Sequence, residues 1–255
     1  MLVDSHCHFC YPGLLEQSDA VLKRMHEAGV GMALNISTSM QDLPAVVEFA
    51  QRHEGIYATV GIHPDNTDEG EPGLSELVRL AAAPKVVAIG ETGLDYYRLQ
   101  EPLEWQRERF RRHIRAARES AKPLVIHTRN SAQDTLRIMR DERAQDVGGV
   151  MHCFTEGLDV AKAAIDMGFR ISFSGILTFK SARELREVAA AIPDESLLIE
   201  TDAPFLAPNP HRGKTNEPAW VVHVADTLAQ LRGQSKDLIW KITTENFFKL
   251  FNIVQ

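Results

Sequence analysis

Val3-Asp4-Ser5-His6-Cys7-His8, near the start of the chain, has the pattern of a β-strand that carries part of a metal site. Successive side chains of a strand point to opposite faces, so His6 and His8 share one face, roughly 6.6 Å apart at about 3.3 Å per residue. Asp4 lies on that face too, and the intervening residues lie on the other. Two neutral imidazoles close to a carboxylate indicate half of a metal site. The alternative is an edge strand that happens to carry two histidines, and the rest of the chain decides between the two.

Outward from this stretch, a strand followed by a helix repeats eight times. The predicted strands are mostly short runs rich in Val, Ile and Leu, as expected for parallel strands covered by helices. They are Leu2–His8, Met32–Ser37, Tyr57–His63, Val86–Glu91, Leu124–His127, Val150–His152, Arg170–Phe173 and Leu197–Asp202. Helical spacing fills the segments between them, with Ser131 and Pro218 at the starts of the fifth and eighth helices. A last helix is predicted at Lys236–Phe251.

Eight strand–helix units in 255 residues predict a (β/α)8 TIM barrel with an extra C-terminal helix. We expect one domain over residues 1–255, because such barrels form single domains of about this length. A doubly wound open sheet is the alternative, which is disfavoured because no Gly-rich fingerprint follows the first strand. In a barrel, the carboxyl ends of all strands meet at one mouth, where the active site lies.

The composition is that of an ordinary globular protein, with 44% apolar and 25% charged residues. No apolar run of about 18 residues exists, so no membrane span is expected. The chain enters strand-like sequence at once, which leaves no room for a signal peptide. The three cysteines have unrelated spacings, which argues against a disulfide framework and favours the cytoplasm. The net charge of −7 speaks against nucleic acid as a partner, unless the charge near the site differs from the average.

Polar residues end most of the predicted strands. Five of the ten histidines fall at these ends, together with two carboxylates; the seven residues are His6, His8, His63, Glu91, His127, His152 and Asp202. Each one alone would be an ordinary polar residue at the rim, but their convergence on one mouth predicts a metal centre. Four of these histidines, together with the two carboxylates, exceed the needs of one tetrahedral ion and suit two ions that share a bridging carboxylate. Such donors suit Zn²⁺, Mn²⁺ or Fe, and carboxylate-rich sites suit Mg²⁺ or Mn²⁺.

Two carboxylates of the eighth strand have different expected roles. Asp202 lies nearer the mouth than Glu200 and is the better candidate for a ligand and a base. Glu200 lies one layer deeper, where we expect it to support a ligand by hydrogen bonding. Cys7 and Cys153 each adjoin a candidate histidine, so strand alternation turns them outward as small buried hydrophobic residues.

With these motifs in hand, the chain resembles the TatD family of metal-dependent deoxyribonucleases, within the amidohydrolase-like barrels. The resemblance covers essentially the whole chain, and its motifs are highly specific together, whereas His-x-His alone would be weak. The matching stretches are Asp4-Ser5-His6-Cys7-His8, Gly61-Ile62-His63-Pro64, Gly90-Glu91-Thr92-Gly93-Leu94-Asp95-Tyr96, His127-Thr128-Arg129, His152-Cys153-Phe154, Glu200-Thr201-Asp202-Ala203-Pro204 and Arg212-Gly213-Lys214-Thr215-Asn216-Glu217-Pro218.

The resemblance implies a set of metal ligands and a reaction. The implied ligands are His6, His8, Glu91, His127, His152 and Asp202. The implied reaction is hydrolysis of DNA from a single-stranded end, in the manner of a 3′–5′ exonuclease. Some relatives are linked to the removal of D-amino acids from tRNA, so the family does not fix the substrate. Many relatives have Leu-Asp where this chain has Phe9-Cys10, a departure that bears on the substrate contacts of the first loop.

The charge expected near the site is more positive than the net charge of the chain, so nucleic acid remains a candidate partner. Two divalent ions add about four positive charges where Glu91 and Asp202 contribute two negative ones. Arg129, Arg212 and Lys214 lie in loops near the mouth, where we expect them to meet phosphates. The arginines near and within the fourth helix alternate with glutamates and favour a solvated helix face; they are Arg98, Arg107, Arg109, Arg111, Arg112, Arg115 and Arg118. Aromatic residues near strand ends are expected either to stack on bases or to pack the loops; they are Tyr96, Tyr97, Phe154, Phe179 and Phe205.

The sequence therefore favours a cytoplasmic phosphodiesterase that uses two divalent ions (Zn²⁺, Mn²⁺ or Mg²⁺) on nucleic acid, single-stranded DNA above all, with RNA or tRNA as other candidates. Asp202 would orient or deprotonate water, and Glu91 would bridge the ions. His63, Glu200 and the three basic loop residues would contact substrate or support the ligands. The first rival is hydrolysis of an ester, amide or lactone, including deacylation of mischarged tRNA. The second rival is a metal-loaded nucleic-acid-binding protein without turnover; neither a membrane nor an obligate protein partner is expected.

Overall fold

A ring of eight parallel strands forms the centre of the molecule. The computed structural model describes residues 1–67, 70–97 and 103–253, so Arg98 lies outside the described ranges. The strands are β1 Leu2–Cys7, β2 Val30–Asn35, β3 Ile56–Val60, β4 Val86–Asp95, β5 Leu124–Arg129, β6 Gly149–Met151, β7 Phe169–Phe173 and β8 Leu197–Ile199. They pair in sequence order, and a parallel bridge between Cys7 and Ala203 closes the ring. The predicted (β/α)8 barrel is confirmed.

Helices follow the strands and cover the outside of the ring. In the described ranges they are α1 Ser18–Glu27, α2 Leu43–Arg52, α3 Leu74–Ala81, α4 Glu104–Ser120, α5 Ala132–Asp141, α6 Leu158–Asp166, α7 Arg183–Ala191, α8 Val221–Arg232 and α9 Lys236–Phe251. A search of these described residues finds no helix with the length and hydropathy that a bilayer crossing requires. Pro218, predicted to lie in the first turn of the eighth helix, begins a short 3-10 turn, and α8 itself starts one turn later at Val221.

The extra helix α9 has the predicted bounds and closes one end of the barrel. Phe247 and Phe251 pack into a buried cluster with inward-facing strand residues such as Val3 and Leu198. The Asn246 amide donates hydrogen bonds to the carbonyls of Asp194 and Leu197, at the start of β8. The amino-terminal end of the barrel is thereby filled, and the opposite end remains the open mouth.

Several strand ends differ from their predicted positions. β4 runs past Glu91 and β5 runs past His127, because the two strands stay paired as far as Asp95 and Arg129. A register shift between Ile89 and Thr92 breaks the regular alternation beside Glu91. β3, β6 and β8 instead stop short, so that the polar residues predicted to end them lie in the first positions of the following loops; these residues are His63, His152 and Asp202.

Candidate metal centre

An open cavity of about 840 Å³ occupies the mouth of the barrel. Its walls come from the carboxyl ends of the strands and the loops that follow them, and six of the seven predicted strand-end residues line it: His8, His63, Glu91, His127, His152 and Asp202. His6 lies beneath them and is completely buried. The structure thus brings together all seven residues that the strand-end pattern singled out.

One cluster of donor atoms lies on the β1 and β8 side of the cavity. The Nε2 atoms of His6 and His8 are 3.3 Å apart. Glu91 Oε2 is 3.4 Å from His6 Nε2, and Asp202 Oδ1 is 3.3 Å from His8 Nε2. Four ligands at about 2.0–2.1 Å from a tetrahedral ion stand about 3.3–3.4 Å from one another, by simple geometry. The spacing of these four atoms therefore fits one divalent cation.

A second cluster lies on the β4, β5 and β6 side. Glu91 Oε1 is 3.2 Å from His127 Nδ1 and 2.7 Å from His152 Nε2. His63 Nε2 is 3.4 Å from the same carboxylate oxygen and 3.3 Å from His127 Nδ1. Glu91 thus directs one oxygen to each cluster, which is the arrangement of a carboxylate shared by two ions. His63, expected only to assist, stands close enough to be a donor itself.

Carboxylates fix the histidines of the second cluster from behind. Asp95 Oδ2 is 3.0 Å from His127 Nε2, and Glu200 Oε1 is 3.2 Å from His152 Nδ1. His63 Nδ1 contacts Asp65 in the same way. A carboxylate on the far nitrogen sets the tautomer and the orientation of a metal-binding imidazole. Glu200 has the supporting position that the sequence indicated, whereas Asp95 and Asp65 were not singled out.

The unpartnered ring nitrogens of two histidines give a further reason to expect divalent cations at this donor set. The Nδ1 atoms of His6 and His8 are buried and have no hydrogen-bond partner among the described residues. Burying a polar atom without a partner is costly, so an imidazole held this way gains from a strong interaction at its other nitrogen. Three overlapping groups of these side chains bring their donor atoms within 4.8 Å of one another. Nitrogen and oxygen donors in this mixture suit Zn²⁺ and Mn²⁺.

The electrostatics of the clusters keep both carboxylates ionised. Burial works to raise the pKa of Glu91, but the charges of His152, His63 and His6 outweigh it and hold that pKa well below its usual range. Burial also opposes ionisation of Asp202, yet the hydrogen bond from His8 leaves its pKa below the ordinary value. Two ionised carboxylates among imidazoles are what cation binding requires.

Asp4 does not join the clusters, and the prediction that it shares a face with His6 and His8 is wrong, because a register shift between Asp4 and Cys7 interrupts the alternation of β1. Its carboxyl group accepts hydrogen bonds from the backbone N–H of Thr201 at 2.9 Å and from its hydroxyl at 2.5 Å. Burial raises the pKa of Asp4 to about 8. The carboxylate expected beside the two histidines is therefore supplied by Glu91 and Asp202, while Asp4 links β1 to the strand-eight loop.

Of the two cysteines expected to turn outward under the helices, Cys7 and Cys153, only Cys7 is buried away from the cavity. Cys7 is buried, and its Sγ lies 3.5 Å from the Leu34 carbonyl. Cys153 instead lines the cavity, so the prediction that it turns outward under a helix is wrong. β6 ends at Met151, and Cys153 has a left-handed backbone with φ of 43°, so strand alternation no longer applies there.

The basic residues expected to meet phosphates take two different positions. Arg129 lines the cavity, and its guanidinium lies 3.8 Å from the centre of the Tyr97 ring. Arg212 and Lys214 are exposed and do not line the cavity. The Arg212 guanidinium lies 3.6 Å from the centre of the Phe179 ring. Only a substrate that extends beyond the cavity would reach these two residues.

One arginine of α4 departs from the solvated face expected for the whole run. Arg109 is only 2% exposed, and its guanidinium donates to the carbonyls of His63 and Asn66. It also pairs with Glu71 at 2.6 Å. The prediction is wrong for Arg109, because a polar loop packs on this side of α4 and offers acceptors to a buried guanidinium. The other described arginines of the run pair with acidic residues on or near the helix surface.

Comparison with known proteins gives a consistent set of matches. The model of the family described as TatD related DNase matches residues 3–252. The metal-dependent hydrolase YcfH of Escherichia coli K12, described as uncharacterized, is 43% identical over 255 residues, with 99% of this chain and 96% of that protein covered. YabD of Bacillus subtilis, described in the same way, is 40% identical, with 99% and 100% covered. The crystal structure of YjjV, a TatD homologue from Escherichia coli K12, superposes with a TM-score of 0.94 at 29% identity, over 99% of this chain and 98% of that one.

Proposed function

The chain belongs to the TatD-related DNase family and is a metal-dependent hydrolase, and we propose that it cleaves the phosphodiester bonds of single-stranded DNA from the 3′ end. The names of its relatives support the reaction class and say nothing of a substrate. The choice of substrate rests on the donor clusters and on the groups around them.

The observation that carries the proposal is the position of Glu91 between the two clusters. Its Oε2 faces His6, and its Oε1 faces His127 and His152. The donors on either side of Glu91 would hold two divalent cations, and such a pair would supply charge stabilisation for the attacking and leaving oxygens of an in-line displacement, which is the chemistry of phosphodiester hydrolysis. Each of the two clusters offers at least three donor atoms, counting one oxygen of Glu91 in each.

Asp202 is the residue we assign as the base. Its side chain is 15% exposed, so it reaches the cavity, whereas the side chain of Glu200 is fully buried. Its ionised carboxylate can accept the proton of an attacking water while Oδ1 stays beside His8. The carboxylates behind His63, His127 and His152 leave one nitrogen of each of these rings directed to the cavity, so these rings would hold cations and would not exchange protons with substrate.

Arg129 supports a phosphate-bearing substrate over a neutral ester. It lies at the end of β5 and lines the same cavity as the clusters. A guanidinium that lies face-on to a ring keeps its N–H donors at the edge, where they match the oxygens of a phosphate. A lactone or a simple carboxylic ester offers no such group.

A substrate screen tests the proposal. Purified protein is incubated with Mg²⁺, Mn²⁺ or Zn²⁺ and with 5′-labelled single-stranded DNA, the matching duplex, RNA, aminoacyl-tRNA and simple esters. We expect single-stranded DNA to be shortened from its 3′ end, and this activity to be lost with EDTA. Hydrolysis of aminoacyl-tRNA or esters with every oligonucleotide intact would assign the site to acyl chemistry. Metal binding and nucleic-acid binding without any turnover would make it a binding protein.

A further inference from the structure

Two exposed aromatic rings stand at the mouth. Among the residues that the structure describes, five large hydrophobic side chains are exposed, and the two aromatic ones are Tyr97, at 61%, and Phe205, at 49%. Tyr97 follows β4, and Phe205 lies in the loop after β8. In a closed ring of eight strands in sequence order, the fourth and eighth strands are on opposite sides. The two rings therefore occupy opposite rims, with the donor clusters between them.

Phe205 is exposed but firmly held. Its backbone N–H donates to the Asp202 carbonyl at 2.9 Å, and its own carbonyl accepts from the Asn216 amide at 2.6 Å. Its ring contacts Tyr11 edge-on, at a centroid distance of 5.9 Å, and His8 at 6.2 Å. The position of this ring is thus tied to Asp202 and His8, two residues of the first cluster.

Tyr97 is held in place by Asp95, which also contacts a histidine of the second cluster. Its backbone N–H donates to Asp95 Oδ1 at 2.9 Å, and the other oxygen of the same carboxylate holds His127. The Arg129 guanidinium stacks on its ring and also lines the cavity. One carboxylate thus fixes both an imidazole of the cluster and the backbone that carries the exposed ring.

We propose that Phe205 on one rim, and Tyr97 with Arg129 on the other, are stacking platforms for the bases on either side of the phosphate that is cleaved. This inference rests on the proposed function and adds the path of the strand across the mouth. Every base has a flat face that stacks on an aromatic ring or a guanidinium, so such platforms bind a strand without reading its sequence. Bases within a duplex are already stacked on their neighbours, so the same platforms favour single strands.

Binding measurements with matched oligonucleotides test the platforms. Tyr97→Leu and Phe205→Leu remove a ring and keep an apolar side chain, whereas Tyr97→Phe and Phe205→Tyr keep the ring. Fluorescence anisotropy in Mg²⁺ gives the Kd for a single-stranded oligonucleotide with hydrolysis-resistant linkages, and for the same strand with abasic sites. Each Leu variant should weaken binding of the base-bearing strand roughly 5- to 150-fold and leave the abasic strand unchanged. The variants that keep the ring should bind like the parent protein.

Tyr57→Leu is the matched control, since Lys85 lies over the Tyr57 ring at the opposite end of the barrel, near the start of β3. It should change neither Kd, and the metal content of every variant should equal that of the parent. Equal weakening on both oligonucleotides would mean that the rings support the loops, and no weakening on either would mean that the strand does not cross these rims. Either result would contradict the stacking proposal and leave the proposed function untouched. A parent protein that neither binds nor cleaves any single strand would overturn the proposed function as well.

Discussion

Three carboxylates beneath the mouth have separate tasks because their oxygens face different partners. Glu91 divides its two oxygens between the clusters. Asp202 places Oδ1 beside His8 and reaches the cavity. Glu200 Oε1 accepts from the Cys153 backbone N–H at 2.9 Å and lies 3.2 Å from His152 Nδ1. Substitution by the matching amide separates these roles, because Asn and Gln keep the shape and lose the charge.

The first prediction concerns Asp202→Asn. This variant should keep the fold and lose at least about 100-fold in kcat, which is the lower range for loss of a general base. Asn cannot take up a proton, and it binds a cation less well. The measurement is kcat on single-stranded DNA at saturating metal, with metal content determined on the same sample.

Glu200→Gln serves as the control for Asp202→Asn. It should cost less, because Gln can still accept through its Oε1 atom from the Cys153 backbone. A metal-loaded Asp202→Asn variant with near-normal kcat would remove Asp202 from the mechanism. A larger loss for Glu200→Gln than for Asp202→Asn would exchange the two roles.

The residues of the candidate site could be predicted where strand geometry alone placed them. The ends of parallel strands must meet, so the polar residues that end them were found from spacing and type. Asp95 was missed because its partner His127 is 32 residues away in sequence, and only the folded ring brings the two together. Asp65 was missed although it lies two residues after His63, because it lies in a loop where strand alternation gives no indication of its direction. Asp95 had one available signal, because it follows Glu91 by four residues on the same strand.

At the scale of secondary structure elements, α4 holds the loops that carry much of the second cluster. Gln106 accepts from the Asp95 backbone N–H at 2.9 Å and donates to the Pro64 carbonyl at 2.9 Å. One turn further, Arg109 donates to the His63 carbonyl. One more turn on, His113 Nε2 accepts from the Ile62 backbone N–H at 3.2 Å. A buried polar stripe of this helix thus fixes the backbone on both sides of His63.

The second prediction concerns His113 and pH. Burial lowers its pKa from 6.5 to about 4, and Nε2 already accepts the Ile62 N–H, so the folded protein resists protonation there. The unfolded chain binds the proton near pH 6.5. The contribution of His113 to the free energy of unfolding is therefore intact at pH 7 and should fall by about 3 kcal/mol as the pH drops from about 6.5 to about 4.

Urea unfolding of the parent and of His113→Gln at several pH values, with EDTA present, measures this contribution. Other titrating groups are common to both proteins, so the difference between their unfolding free energies isolates His113. That difference should shrink as the pH falls towards 4. A difference independent of pH would show that His113 titrates equally in the folded and unfolded chains.

Element types and order could be predicted because apolar runs and helix signals repeat with the same period eight times. Element bounds could be predicted less well. β4 extends to Asp95, where Gly93 allows β5 to approach, since a Cβ there would meet the His127 carbonyl oxygen at 2.0 Å. Ser131 precedes α5 as expected, but its hydroxyl donates to the Leu94 carbonyl and makes no capping bond. Both outcomes depend on a neighbouring strand that lies far away in sequence.

For the whole molecule, the charge of −7 has to be reconciled with the polyanionic substrate that we propose. Asp65 and Asp95 add two carboxylates to those first counted at the mouth. On the proposed function, the attraction for phosphates would depend on bound cations and Arg129 in the cavity, and on the loop that carries Arg212 and Lys214 outside it. Only a strand longer than the cavity can use that loop.

The third prediction tests this division. Replacing Arg212 and Lys214 together by Ala should weaken binding of a long single-stranded oligonucleotide and flatten its salt dependence. Each lost phosphate contact should reduce the slope of log K against log salt by roughly 0.7. Hydrolysis of a dinucleotide, which reaches the clusters but not the loop, should change little. Lys241→Ala and Lys249→Ala on α9, away from the mouth, are matched controls of charge.

Equal losses on the long strand and the dinucleotide would assign the two basic residues a structural role in the loop. No loss on either substrate would leave them as solvated charges. Neither result would bear on the donor clusters, because Arg212 and Lys214 lie outside the cavity that contains them.

The number of divalent cations per chain tests the central claim most directly. Protein stripped with EDTA is reconstituted with Mn²⁺ or Zn²⁺, freed of excess metal and analysed for metal content, and anomalous diffraction locates the ions. The shared position of Glu91 predicts about two ions per chain, one on each side of its carboxylate, because the donors exceed the needs of one ion. A stoichiometry that saturates at one ion per chain with full activity would contradict it.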